Sequence, residues 1–196
     1  MQAQRFKAKV CVVGEPGVGK TSLIRRYVLG DFSERQTPTR GHRITNRGQL
    51  LDLQDIGLTL SKLSDGTHLE WPPTFHLDMV LWDIMGSRRI SDIGQDDYFV
   101  GARGVLAVAD GTRPQTLETL PVWMRAATRA AGELPVVLAV NKSDLARTSD
   151  VGGSSAEALA DEFGASLYVT SAKTGLQVEK AFRNLAADVV LRLLGF

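Results

Sequence analysis

Gly14-Glu15-Pro16-Gly17-Val18-Gly19-Lys20-Thr21 is the stretch that decides how this 196-residue chain is interpreted. Glycine, four intervening residues, glycine, lysine and threonine follow one another with the spacing of a phosphate-binding loop. The stretch lies between an apolar run that ends at Val13 and a helical pattern that begins at Lys20, as such a loop requires. Its glycines let successive backbone amides point at phosphate oxygens, and the helix N-terminus adds partial positive charge. An ordinary glycine turn is the alternative, and the flanking strand and helix patterns argue against it.

The side chains of this loop carry the expected chemistry. Lys20 would reach the terminal phosphates as a point charge, and the Thr21 hydroxyl would ligate Mg²⁺. The predicted phosphate contacts are Gly14, Glu15, Pro16, Gly17, Val18, Gly19, Lys20, Thr21 and Ser22.

Short apolar runs alternate with helical patterns along most of the chain, which is typical of parallel strands joined by crossover helices. Strands are predicted at residues 7–13, 79–82, 104–109, 134–140 and 166–169, and helices at 20–29, 117–131, 156–163 and 178–194. Residues 32–75 are polar and irregular, with the pair Pro72-Pro73. This segment is interpreted as a long functional loop followed by a hairpin with the turn Ser64-Asp65-Gly66-Thr67. The pattern indicates a single domain over residues 1–196.

Composition and charge exclude several classes of partner. The 23 basic and 22 acidic residues give a formal charge of +1, so we expect no general attraction to nucleic acid or to an anionic membrane. The single cysteine, Cys11, lies in an apolar run and fits a buried core residue in a reducing compartment. No apolar run is long enough for a membrane span or a signal core, so we expect a cytoplasmic protein. Gln2 and a C-terminus without cysteine predict no lipid anchor.

Two further motifs indicate which nucleotide base would be bound. Asn141-Lys142-Ser143-Asp144 follows the apolar run that ends at Val140. A carboxylate at Asp144 can accept from both N1–H and the 2-amino group of guanine, which adenine does not present together. Thr170-Ser171-Ala172-Lys173 closes another apolar run at the same carboxyl edge of the sheet, where the nucleotide sites of such sheets lie. A polar turn with a capping aspartate is the alternative, and the phosphate-binding loop argues against it.

Together these motifs resemble the Ras superfamily of small GTPases, in its Rab and Ras-like branches, over nearly the whole length. Pro38-Thr39, Trp82-Asp83-Ile84-Met85-Gly86 and the segment from Tyr98 to Asp110 match in the family's order. The resemblance implies an α/β, three-layer P-loop NTPase fold, with a mostly parallel six-stranded sheet and about five helices. It implies GTP and GDP as ligands, Mg²⁺ as cofactor, and effector, exchange-factor or GTPase-activating proteins as partners. We expect a monomer or a weak homodimer.

The resemblance also implies roles for residues around the phosphates. Thr21, Thr39 and Asp83 would hold magnesium, with Asp83 acting through a water, and the Gly86 amide would sense the terminal phosphate. Lys20, Thr39, Gly86 and Ser87 would form the catalytic set.

The base contacts implied by the resemblance come from two loops and one aromatic ring. Phe32, twelve residues after Lys20, would pack against guanine, although it could instead be a hydrophobic staple under the first helix. Lys142 would lie along the base plane, and Ala172 would offer its amide to the guanine oxygen. The full predicted base set is Phe32, Asn141, Lys142, Asp144, Ser171, Ala172 and Lys173.

One departure from the family concerns hydrolysis. Ser87 stands where the family has the glutamine that orients the attacking water, and serine is too short to do this. Met85 adds bulk beside the phosphate sensor, and Arg88 with Arg89 could either stabilise phosphate charge or form a solvated basic pair. The sequence therefore predicts a GTP/GDP switch with slow Mg²⁺-dependent GTP hydrolysis. The alternative is a guanine-nucleotide-binding module that does not hydrolyse GTP.

A second departure is an insertion. Thr39 lies nineteen residues after Lys20, as in the family, but Asp83 follows forty-four residues later, about twice the expected interval. One alignment keeps Thr39 as the magnesium ligand and places the extra residues between about His42 and Leu58. A rival alignment puts Asp55-Ile56-Gly57 where the family has threonine, isoleucine and glycine. The insert is either a tolerated surface loop or a partner-binding or autoinhibitory element.

Overall fold

The structure is a computed structural model that describes residues 3–34, 43–52, 55, 74–84, 97–145 and 153–196. Its six strands are β1 Gln4–Val13, β2 Arg43–Asp52, β3 Thr74–Asp83, β4 Ala102–Asp110, β5 Val136–Asn141 and β6 Ser166–Val169. They form one sheet in the order β2-β3-β1-β4-β5-β6. Only the β2–β3 pair is antiparallel, and the other four pairs are parallel. The predicted mostly parallel, six-stranded sheet is confirmed.

Helices cover both faces of the sheet. They are α1 Lys20–Leu29, α2 Gln115–Glu118, α3 Leu120–Ala131, α4 Ser154–Glu162 and α5 Val178–Leu193, with a short 3-10 helix at Asp97–Phe99. One core cluster joins α1 and α5 to the sheet, and the other joins α3 and α4 to its opposite face. Every residue of β5 is buried, as expected for a parallel strand covered on both sides. The three-layer α/β fold is confirmed.

The helix predicted over residues 117–131 is two helices. Pro121 has no amide hydrogen, and in a continuous helix its ring would clash with the carbonyl of Leu117. In the structure α2 ends at Glu118 and α3 begins at Leu120, so that Pro121 lies in the first turn of α3, where proline is tolerated.

The structure of residues 43–52 differs from the predicted loop. They were expected to be loop, but all ten form β2 and pair with β3, from Arg43 opposite Asp83 to Asp52 opposite Thr74. β2 lies at the edge of the sheet and buries only Gln49 and Leu51, so its sequence is too polar to show a strand pattern. The antiparallel β2–β3 pair is therefore not the hairpin that the sequence predicted. The turn predicted at residues 64–67 lies outside the described residues.

The register between β2 and β3 also bears on the two alignments of the segment between Thr39 and Asp83. β2 begins beside Asp83 and runs away from it for ten residues, roughly 30 Å at about 3.4 Å per residue. Asp55 follows at the far end, where its carboxylate accepts hydrogen bonds from the Arg183 guanidinium on α5. The rival alignment, which puts Asp55 at the magnesium-binding position, is therefore wrong. Residues 43–52 of the expected insert form β2, and residues 53–73 connect β2 to β3 in sequence.

Among the described residues, no helix is both long enough and apolar enough to cross a membrane.

Candidate functional site

The phosphate-binding loop connects β1 to α1 and has a conformation that only glycine allows at two positions. Gly14 has φ 134° and Gly19 has φ 100°. A Cβ atom on Gly14 would lie 2.2 Å from the carbonyl oxygen of Val108, and one on Gly19 would lie 2.3 Å from Nδ2 of Asn141. These glycines therefore let the loop pack closely against both β4 and the end of β5.

Lys20 at the start of α1 lies folded back over the loop. Its Nζ donates hydrogen bonds of 2.8 Å to the carbonyl oxygens of Gly14 and Glu15. Burial lowers the pKa of Lys20 to about 8, although the nearby carboxylates of Asp83 and Glu15 act in the opposite direction. The ammonium is thus held where a further anionic group would be strongly favoured.

The next residue, Thr21, meets the end of β3. Its Oγ1 donates a 2.5 Å hydrogen bond to Oδ2 of Asp83. The other carboxylate oxygen, Oδ1 of Asp83, is buried and has no hydrogen-bond partner within the described part of the chain. Burial also raises the pKa of Asp83. A buried carboxylate that needs a cation, next to a hydroxyl oxygen, fits the oxygen ligands that Mg²⁺ prefers.

Asn141 connects the base loops to the phosphate-binding loop. This side chain is buried, with 1% of the residue exposed. Its Nδ2 donates to the carbonyl oxygen of Val18 at 2.9 Å, while its Oδ1 accepts from the Ala172 amide at 3.1 Å and lies 3.4 Å from the Thr170 hydroxyl. The Ala172 amide, predicted to bind the guanine oxygen, thus already donates to Asn141.

Asp144 and Ser171 also lie together. The buried Ser171 hydroxyl donates a 2.5 Å hydrogen bond to Oδ1 of Asp144 and accepts from the Thr174 amide. Ser171 thereby fixes one oxygen of the carboxylate that was predicted to recognise guanine. The loops that follow β5 and β6, which were predicted from separate segments of sequence, are therefore joined by a hydrogen bond.

A cavity of about 480 Å³ opens between these loops. That volume suits a small-molecule ligand of nucleotide size. Phe32 forms part of its wall, and two further lining residues, Lys173 and Glu34, have exposed side chains that form a 2.9 Å ion pair. The lining residues are Gly17, Gly19, Ser22, Phe32, Glu34, Asn141, Lys142, Asp144, Leu145, Ala172 and Lys173. The structure therefore brings the predicted base set to a single cavity, apart from Ser171, which contacts the cavity through its hydrogen bond to Asp144.

Lys142 has a partner that the sequence did not indicate. Its Nζ donates a 2.7 Å hydrogen bond to Oδ2 of Asp110, the last residue of β4, and its backbone has a positive φ of 66°. Burial opposes ionisation of Asp110, but hydrogen bonds from Lys142 and Thr112 outweigh it and lower the pKa of this carboxyl. The same oxygen accepts a 3.0 Å hydrogen bond from Nε of Arg113. Asp110 and Arg113 follow the end of a predicted strand at the sheet's carboxyl edge, and this position is the only signal that could have found them.

Arg26 in α1 is a second residue that sequence reasoning missed. Its Nε donates to the Ala172 carbonyl at 2.7 Å, Nη1 donates to the Gly30 carbonyl at 2.8 Å, and Nη2 donates to the Lys173 carbonyl. Arg26 therefore ties the last turn of α1 to the base loop. No spacing rule connects residues so far apart in sequence.

Several predicted residues lie outside the described part of the chain. They are Pro38, Thr39, Met85, Gly86, Ser87, Arg88 and Arg89. The predictions for the third magnesium ligand, the phosphate sensor and the water-orienting position therefore stay predictions.

The amino-acid sequence is similar to those of known proteins. A family model described as the Ras of Complex, Roc, domain of DAPkinase matches residues 9–144. The Ras-related protein Rab-8B of Dictyostelium discoideum is 29% identical over 193 residues, which cover 98% of this chain and 84% of that protein. Bovine (Bos taurus) Rab-13 is 29% identical over 185 residues, covering 94% and 80%. RABA2a of Arabidopsis thaliana is 30% identical over 182 residues, covering 92% and 74%.

Proposed function

Since the chain belongs to the Ras superfamily of small GTPases, we propose that it is a switch that binds GTP and GDP with Mg²⁺ and hydrolyses GTP slowly. The observation that carries the proposal is the meeting of the phosphate loop and the base loops at one cavity through Asn141. Membership in the family supports GTP binding in general. The magnesium requirement and the hydrolysis are the parts that need measurement.

In the proposed binding mode, side chains of the phosphate loop and the base loops would bind the nucleotide. Lys20 would exchange the carbonyls of Gly14 and Glu15 for phosphate oxygens, which are stronger acceptors because they carry charge. Asp144, with one oxygen fixed by Ser171, would accept from the guanine N1–H and 2-amino groups.

Thr21 and Asp83 would hold Mg²⁺, and Thr39 is proposed as a further ligand. The ion, when bound, would neutralise charge on the phosphate oxygens. Hydrolysis would proceed by attack of water in line with the terminal phosphoryl group, with Lys20 and the loop amides stabilising the charge. Ser87 in place of glutamine is the reason to expect a slow rate. We further propose that residues 31–58 and 83–99 change conformation with the bound nucleotide and that effectors and regulators recognise these two segments.

The first test is a titration of purified protein with a fluorescent GDP analogue in the presence of Mg²⁺, with GDP, GTP and ATP as competitors. We expect GDP and GTP to compete and ATP to fail. The Lys20→Met variant provides the control for a phosphate-dependent signal. Absence of guanine-nucleotide affinity in the unmodified protein would overturn the proposal.

Hydrolysis is tested by single-turnover measurement on protein preloaded with GTP. We expect a slow, magnesium-dependent release of phosphate that the Ser87→Gln variant accelerates. If neither the unmodified protein nor the variant releases phosphate, the hydrolytic part of the proposal is wrong and the chain only holds the nucleotide.

A further inference from the structure

Asp110, the last residue of β4, has a carboxylate that is only 1% exposed. Nζ of Lys142 donates a 2.7 Å hydrogen bond to Oδ2 of this carboxylate, and Nε of Arg113 donates a 3.0 Å hydrogen bond to the same oxygen. The other oxygen, Oδ1, accepts from both the amide and the hydroxyl of Thr112. The carboxylate is therefore fixed by hydrogen bonds from three residues, two of which are cations.

Lys142 is the partner of Asp110 that lines the nucleotide-sized cavity. Its side chain is 31% exposed, whereas the carboxylate that holds its Nζ is almost completely buried. Because the ammonium at the tip is bound to Asp110, the part of the side chain that remains for the cavity is its carbon stem. Such a stem is an apolar surface against which the flat face of a base can pack.

The backbone end of Lys142 is held as firmly as the tip. Its φ of 66° lies in the left-handed region, which disfavours residues with a Cβ and persists where neighbouring contacts impose it. The amide of the next residue, Ser143, donates to the Thr170 carbonyl at 3.1 Å, and the Leu145 amide donates to the Lys142 carbonyl at 2.9 Å. Backbone hydrogen bonds thus fix one end of the stem, and Asp110 fixes the other.

Asp110 also reaches the phosphate-binding loop through Arg113. Nη2 of Arg113 donates a 3.0 Å hydrogen bond to the carbonyl oxygen of Pro16 and lies 3.7 Å from the position of a Cβ on Gly17. Losing the carboxylate would therefore release two side chains, Lys142 in the base loop and Arg113 beside the phosphate-binding loop. An experiment on Asp110 has to separate these two routes.

We propose that Asp110 is a positioning residue for nucleotide binding, which anchors Nζ of Lys142 so that the carbon stem of Lys142 forms a fixed wall for the guanine base. This inference rests on the proposed function and deepens it. Since the anchor restrains the side chain before the ligand arrives, binding does not have to order a free lysine. The simpler alternative is that Asp110 stabilises only the fold or the contact of Arg113 with the phosphate-binding loop.

The test is a double-mutant cycle on GDP affinity, with Asp110→Asn, Lys142→Met and the double variant. Asparagine keeps the shape of Asp110 without its charge, and methionine keeps a long apolar stem without the ammonium. We expect Asp110→Asn alone to weaken GDP binding by about tenfold, but by less than about threefold when Lys142 is already methionine. Equal factors in the two backgrounds, or no effect of Asp110→Asn in either, would overturn the inference.

Asp188→Asn is the matched control for loss of a carboxylate. Asp188 lies on α5, is partly buried and accepts a 2.9 Å hydrogen bond from Asn184, but it does not line the cavity. Its replacement should leave GDP affinity within about twofold of the unmodified protein.

Urea unfolding without nucleotide shows whether each variant is folded. If Asp110→Asn is not, Lys142→Arg carries the test, because a guanidinium can still donate to Asp110 and the methionine cannot. Lys142→Arg should then keep GDP affinity within about threefold and Lys142→Met should lose at least about tenfold, whereas equal affinities for the two would contradict the anchoring role. If the unmodified protein binds no guanine nucleotide, the proposed function itself fails; if it binds GDP, only this inference is at stake.

Discussion

Replacing Asn141 by alanine should destabilise the protein and weaken nucleotide binding together, because this one side chain bridges two loops. The substitution would leave the carbonyl of Val18 and the amide of Ala172 without their partner. Both residues are at least 96% buried. A buried polar group that loses its partner costs about 1–3 kcal/mol, so we expect a loss of about 3 kcal/mol for the pair. In a domain of this size, that corresponds to a fall of about 6–12 °C in Tm.

The assay is urea unfolding of the nucleotide-free protein, followed by GDP titration of the variant under conditions where it is folded. GDP affinity should fall by at least about tenfold, since the loop amides and the base loop lose their common support. Ser143→Ala is the matched control, because its Oγ is buried without a hydrogen-bond partner among the described residues. That change should leave the free energy of unfolding unchanged or higher. A free energy for Asn141→Ala within about 0.5 kcal/mol of the unmodified protein would refute the bridging role.

Three further predictions concern the same site. Gly14→Ala should destabilise the fold by more than about 3 kcal/mol in urea unfolding, because its methyl group would lie 2.2 Å from the Val108 carbonyl oxygen. The control Gly132→Ala, which has open space around it, should cost about 1 kcal/mol. Asp144→Asn should reduce GDP affinity by about 100-fold and improve competition by xanthosine diphosphate, because an amide can donate to the 2-oxo group of xanthine; unchanged base preference would contradict guanine recognition by Asp144. GDP affinity should fall by about tenfold between pH 7 and pH 9, because the pKa of Lys20 is about 8 and binding above that pH requires uptake of a proton; a Lys20→Arg variant should lack this dependence.

The parts of the site that could be predicted from sequence are those where a short segment determines its own geometry. Gly14 and Gly19 have backbone angles and close contacts that exclude other residues, so the glycine spacing is a direct signal of the loop. Asn141 ends a fully buried strand and Asp144 follows three residues later, which fixes the edge of the sheet where they lie. Phe32 was predicted from the resemblance to the family, which has an aromatic residue at this distance from the loop lysine, and it lines the cavity.

The parts that could not be predicted depend on contacts between distant segments. β2 has only two buried residues, so its strand character comes from pairing with β3 rather than from its own pattern. Arg26 reaches the base loop across 146 residues of sequence, and Arg113 reaches Pro16 across 97. Such contacts between distant segments can be identified only from the structure, because the sheet topology brings the loops together.

The hydrogen-bond partners of the site's side chains indicate which residues determine nucleotide affinity and which determine base specificity. Lys20 donates to neutral carbonyls, so exchanging these for phosphate oxygens replaces a neutral acceptor with an anionic one, which makes a stronger hydrogen bond. In the base loop the exchange of hydrogen-bond partners should contribute little free energy. The Ala172 amide would lose the uncharged oxygen of Asn141 and gain the uncharged oxygen of guanine. Most of the affinity should therefore come from the phosphates, while Asp144 decides which base is accepted. It follows that losing a base contact should alter which nucleotide binds, whereas losing Lys20 should alter how tightly the phosphates of GDP and of GTP are held.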